Sequence, residues 1–150
     1  MTPPLSVAAR LEVARRAGHS CSYCRSREEI VGAMFTVDHI VPQALGGRDD
    51  IDNLCLACWD CNRLKYIHVT GIDPHTSERV ALFDPNHQSW PEHFAWAEGG
   101  QWIAGLTATG RATVERLQLN RPILVRARRQ WMRAGWHPPE NDERRATNDE

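Results

Sequence analysis

Apolar positions along the chain recur with two different periods. From Ser6 to Ala17, Leu11, Val13 and Ala14 gather on one side of a helix that Ser6 can cap and Gly18 can end. Phe35-Thr36-Val37 is a β-prone run leading directly into Asp38-His39. A loop punctuated by Pro42, Gly46 and Gly47 follows, and Leu54-Cys55-Leu56 predicts a short second strand. A helix is then expected from about Trp59 or Asp60 through Asn62, Arg63 and Lys65. Farther on, Val80 to Phe83 predicts a strand closed by Asp84-Pro85. Phe94-Ala95-Trp96 and Trp102-Ile103-Ala104 flank Glu98-Gly99-Gly100-Gln101, a hairpin signal. Thr107 to Trp136 predicts helix, with Asn120 as an N-cap, Pro122 in the first turn and Gly135 at the end. Leu124, Ala127, Trp131 and Ala134 recur there at helical spacing.

These elements predict an α+β chain of 150 residues with one core and appendages. The expected divisions are an N-terminal helix (1–20), a central segment (21–68), a C-terminal extension packed on it (69–137) and a disordered tail (138–150), polar and proline-bounded. No apolar run approaches a membrane span, and the first residues do not resemble a signal peptide, so a cytoplasmic protein is expected. The formal net charge of −1 argues at first against a nucleic-acid partner, but its distribution changes that. The tail holds five acids against two arginines, which leaves residues 1–137 with a net charge of +2. All 18 basic side chains are Arg except Lys65, and Arg suits bidentate phosphate recognition. A GC-rich coding bias accounts for the Arg excess equally well.

Five cysteines in a chain expected to be cytoplasmic argue against a disulfide framework. Cys21-Ser22-Tyr23-Cys24 and Cys58-Trp59-Asp60-Cys61 are two C-x2-C knuckles, the pattern of a closed four-thiolate zinc site. Cys55 and Cys58 form a third such pair. Because Cys55 sits in an alternating apolar segment, it is read as a buried small hydrophobe, and zinc is assigned to Cys21, Cys24, Cys58 and Cys61.

Between the knuckles lie an acid (Asp38) suited to a hard cation and a base (His39), and directly after the second knuckle comes an amide oxygen (Asn62). The stretch DHIVPQALGGRDDIDNLCLACWDCNRLK resembles the zinc-bearing members of the HNH endonuclease family, and also the HNH domain of RNA-guided CRISPR nucleases. The likeness covers about Cys21 to Lys65. It implies a β-hairpin followed by a helix around one divalent cation, a ββα-metal core with a separate structural zinc. It further implies that His39 is the general base and that Asp38 and Asn62 are cation ligands. Asn53 would brace the loop and orient His39. Asn62 stands where the family name has its last histidine, which points to an oxygen-preferring ion, Mg²⁺ or Mn²⁺.

The expected activity is therefore hydrolysis of phosphodiester bonds in DNA. The alternatives are a zinc-stabilised binding module without catalysis, or a nuclease acting on RNA. Val80 to Trp136 also resembles a C-terminal extension of some bacterial HNH proteins, through LFDP, W-P-E-H-F-x-W and a final G-W-H-P-P. Arg63, Lys65, Arg126, Arg129 and Arg133 are the candidate phosphate contacts, weighed against an ordinary solvated face. The tryptophans at 90, 96, 102, 131 and 136 are read as packing residues, and the histidines outside the motif as structural or surface residues. Nothing in the sequence sets an oligomeric state.

Overall fold

A computed structural model describes residues 5–139. The tail expected from 138 onward therefore lies, from 140, outside the described residues. The described residues divide into two compact units, 5–69 with 84–87, and 70–83 with 88–139. The first unit begins with α1 (Val7–Arg16), whose cap Ser6 accepts a bond from the Ala9 amide at 3.1 Å. A single helical turn, α2 (Glu28–Val31), follows and ends on left-handed Gly32. Strand β1 (Thr36–His39) pairs antiparallel with β2 (Leu54–Ala57), and β2 runs straight into α3 (Trp59–Lys65). Strand, strand and helix thus follow in the expected order within a mixed α/β unit.

Alternation along the hairpin decides what each face does. Val37 lies opposite Leu56, and His39 opposite Leu54. On that face Leu54, Leu56 and Val13 of α1 form a core cluster joined by Ala14, Ala17, Phe35 and Ile51. Thr36 and Asp38, opposite Ala57 and Cys55, belong to the other face. The segment 84–87 closes the unit, because the Asn86 amide donates to the carbonyls of Asp52 and Leu54 at 2.8 and 2.9 Å.

The second unit holds two hairpins, β3 (Thr70–Ile72) with β4 (Arg79–Ala81) and β5 (Phe94–Ala97) with β6 (Trp102–Gly105). Its helices are α4 (Trp90–His93), α5 (Ala108–Arg116) and α6 (Pro122–Arg133). Phe83, Trp90 and Phe94 pack edge-on and tilted at centroid distances of 5.1 to 5.2 Å. Trp90 is buried, Trp96 and Trp131 are half-buried, and Trp102 and Trp136 are exposed, so the packing role covers only part of the tryptophan set.

One expectation changes here. The helical stretch from Thr107 is two helices, with Thr107 capping α5 and the chain turning through Gln118 at φ 46°, but Asn120 does not cap α6, where Arg121 holds that position. Its amide instead clamps Ile103 of β6, accepting from N–H at 2.7 Å and donating to C=O at 2.9 Å.

Candidate nuclease site and zinc clamp

The clamp forms because both knuckles are fixed by backbone bonds. Cys21 N–H donates to Ser26 at 2.8 Å, Arg25 N–H donates to Cys21 at 3.0 Å, and Ser22 N–H ties the first knuckle to Leu56 of β2 at 2.8 Å. Cys58 is the N-cap of α3, and its sulfur accepts from Cys61 N–H at 3.4 Å. All four sulfurs of Cys21, Cys24, Cys58 and Cys61 lie within 4.8 Å of one another. The Cys24–Cys58 separation of 3.8 Å equals the edge of a tetrahedron with Zn–S bonds of about 2.3 Å, which is about 3.8 Å. The residues therefore fit zinc. Crowding sets the thiol acidities apart. Neighbouring thiols that donate to Cys24 lower it, while burial and its neighbours raise Cys21. A dication removes that conflict by stabilising all four thiolates.

Cys55 is outside the clamp. Its sulfur lies 3.5 Å from the Tyr23 hydroxyl and 3.8 Å from Asp38. Burial, then the Asp38 charge, pushes its thiol well above the ordinary range. The expectation of a small buried residue holds, but in a polar network rather than a purely apolar one.

Asp38 is 3 % exposed. The Tyr23 hydroxyl, kept protonated chiefly by burial, donates to it at 2.7 Å. The Lys65 ammonium lies 3.1 Å from one carboxylate oxygen and 3.3 Å from the other. Lys65 also donates to the carbonyls of His39 at 3.0 Å and Ile40 at 3.1 Å. As a phosphate contact Lys65 is thus a correction. At 1 % exposure it is an internal clamp, while Arg63 on the same helix is exposed and lies 3.4 Å from Asp60.

Asn62 donates to the Thr36 hydroxyl at 2.7 Å, which commits its nitrogen. Asn62 of α3 therefore reaches the face of the hairpin that carries Thr36 and Asp38. A carboxylate and an amide oxygen are the donors a hard cation takes, so the set fits Mg²⁺ or Mn²⁺ in kind. A cation there would compete with the Lys65 ammonium for Asp38.

His39 is on the other face and partly exposed, with its Nε2 2.8 Å from an Asp49 carboxylate oxygen. The Gln43 amide donates to the same oxygen at 2.9 Å. These two donors hold the Asp49 carboxyl below its usual range, His39 contributing most. Asn53 does not touch His39. Its oxygen accepts from Val41 N–H at 2.9 Å, and its nitrogen donates to the carbonyls of Val41 at 2.9 Å and Arg48 at 2.8 Å. These bonds tie Val41 to Arg48 across the loop, and the side chain at hydrogen-bond distance from the His39 ring is Asp49, a residue the sequence did not single out. Gly47 is obligatory in that loop, because a Cβ there would fall 1.6 Å from the Val41 carbonyl oxygen.

The HNH endonuclease family model matches residues 21–66. The four clustered cysteines are consistent with the zinc-binding type of that domain, and the match suggests nuclease activity in general and interaction with nucleic acid. No curated protein and no solved structure matches the chain. No helix among the described residues is long and apolar enough to cross a membrane.

Proposed function

We propose that the segment hydrolyses phosphodiester bonds in DNA, with His39 as the base that takes a proton from the attacking water. The observation that supports this most is an HNH match whose histidine is reachable from solvent and held by a neighbouring carboxylate. An imidazole can both accept and return a proton. A divalent cation, Mg²⁺ or Mn²⁺, held by Asp38 and Asn62, would supply charge neutralisation at the phosphate. Asn53 and Gly47 keep the loop in the shape that brings Asp49 to the imidazole.

Affinity for the backbone would come from exposed arginines. Arg63 lies on α3 between two large exposed aromatic residues, Trp59 and Tyr66, at helical spacing. In the second unit Arg126, Arg129 and Arg133 share one exposed face of α6, and Arg129 also touches Gln101 at 2.9 Å. Such contacts bind phosphates without regard to sequence and weaken with salt. Two observations favour a binding module without catalysis: the Lys65 ammonium already paired with Asp38, and the alternation of β1, which turns Asp38 and His39 to opposite faces.

Cleavage of supercoiled plasmid by the zinc-loaded chain in Mg²⁺ or Mn²⁺ tests the proposal, with a folded RNA as the competing substrate. The native protein should nick or linearise the plasmid, and His39→Ala should lose at least ~10²-fold in rate while keeping its zinc and its affinity for DNA. Equal rates for the two proteins overturn the catalytic assignment. Binding without cutting supports the module instead, and preferential cutting of RNA moves the substrate class.

A further inference from the structure

Asp49 and Gln43 lie in the loop between β1 and β2; Asp49 reaches the imidazole of His39, and Gln43 reaches Asp49. The Asp49 oxygen is shared by His39 Nε2 at 2.8 Å and the Gln43 amide at 2.9 Å. The carboxylate is thus held from two directions, while the loop carrying it is pinned at three points by Asn53 and closed by the Gly47 amide on Pro42 at 2.9 Å. A carboxylate has lone pairs only, so the ring nitrogen facing it must carry the proton. In the neutral ring the lone pair is then on Nδ1.

We infer that Asp49, seated by Gln43, is the positioning residue of His39: it fixes the ring orientation and directs the proton-accepting Nδ1 away from the loop. This rests on the nuclease reading for its catalytic consequence but not for the pairing itself. A carboxylate behind an imidazole also favours the imidazolium that forms once the water has given up its proton. Asp49 would therefore help the transition state more than the bound substrate, and its loss should fall on kcat rather than on KM.

The test uses the full zinc-loaded chain, ¹⁵N-labelled at histidine, in native, Asp49→Ala, Asp49→Asn and His39→Ala forms. The ring N–H proton assigned by its loss in His39→Ala should appear downfield and slowly exchanging in the native protein. It should vanish in Asp49→Ala and survive in Asp49→Asn, whose amide oxygen still accepts from Nε2–H. In plasmid cleavage Asp49→Ala should lower kcat about tenfold to hundredfold, less than loss of the base, with KM within about twofold. Asp49→Asn should recover part of that loss. A ring N–H signal unchanged in Asp49→Ala, or native kcat in that variant, overturns the inference. Should the native protein cut no substrate, the nuclease reading fails, and the ring signal alone decides whether Asp49 holds His39.

Discussion

Replacing Lys65 by Met removes the ammonium but keeps most of the side-chain volume. The side chains of Lys65 and Asp38 are 1 % and 4 % exposed, so solvent cannot take over the role of the lost charge. The Asp38 carboxylate would keep the Tyr23 hydroxyl, and the carbonyls of His39 and Ile40 would each lose a donor. Removing one partner of a buried pair costs about 3–5 kcal/mol. For a small unit the lower end already corresponds to a fall in Tm on the order of 15 °C. The assay is thermal and denaturant unfolding of zinc-loaded protein, with zinc content measured in parallel. The double variant Asp38→Asn with Lys65→Met removes both charges and should regain most of the loss, because the penalty arises from the orphaned carboxylate rather than from absence of the pair. If Lys65→Met unfolds within 1 °C of native, or if the double variant is as unstable as the two single losses added, the buried-pair reasoning is wrong. Millimolar Mg²⁺ adds a further arm. It should stabilise Lys65→Met more than the native protein if Asp38 is a cation ligand.

Two other outcomes follow from the same geometry. Purified protein should hold about one zinc per chain, and a strong chelator should unfold the first unit. Cys55→Ser should keep that zinc while Cys24→Ser loses it, with metal analysis as the readout. In the second unit Asp73 is shut from solvent and bonded to Arg111 at 2.9 and 2.8 Å, which holds its carboxyl well below the ordinary range. A depressed folded pKa stabilises above the unfolded value of about 3.9 and loses that contribution as pH falls below it. Asp73→Asn should destabilise the protein at pH 7, with the gap to native closing under acid in denaturant titrations.

The hairpin, α3 and the clamp were legible because each is written in local spacing. β-Prone runs flank a Gly-Pro loop, and two C-x2-C pairs require their ligands to meet. The burial of Lys65 was legible too, but only with attention to phase. It lies four residues after Cys61, so a helix that turns Cys61 to the clamp turns Lys65 inward as well. The same logic separates the arginines of α6. Arg128 falls four residues after buried Leu124, and it is fully buried, bonded to the Leu119 carbonyl at 2.7 Å. Arg126, Arg129 and Arg133 take the outward phases. Asp49 carried no such signal, because a loop has no period and its return to His39 depends on a backbone approach at Gly47 that no sequence pattern states.

The two faces of one short strand explain how His39 is held. Its backbone is gripped from the α3 side, where Lys65 takes its carbonyl and that of Ile40, and α3 is itself set by Cys58 and Cys61. Its ring is gripped from the opposite side by a loop that depends on Asn53 and Gly47. The zinc clamp therefore acts on the placement of the histidine, and the loop acts on its orientation. Loss of zinc should displace the whole strand end and abolish binding and cutting together. Loss of Asp49 should leave the strand in place and disturb only the ring, because nothing on the α3 side depends on that carboxylate. The separation follows from alternation along β1, which sends Asp38 to the clamp side and the next residue, His39, to the loop side.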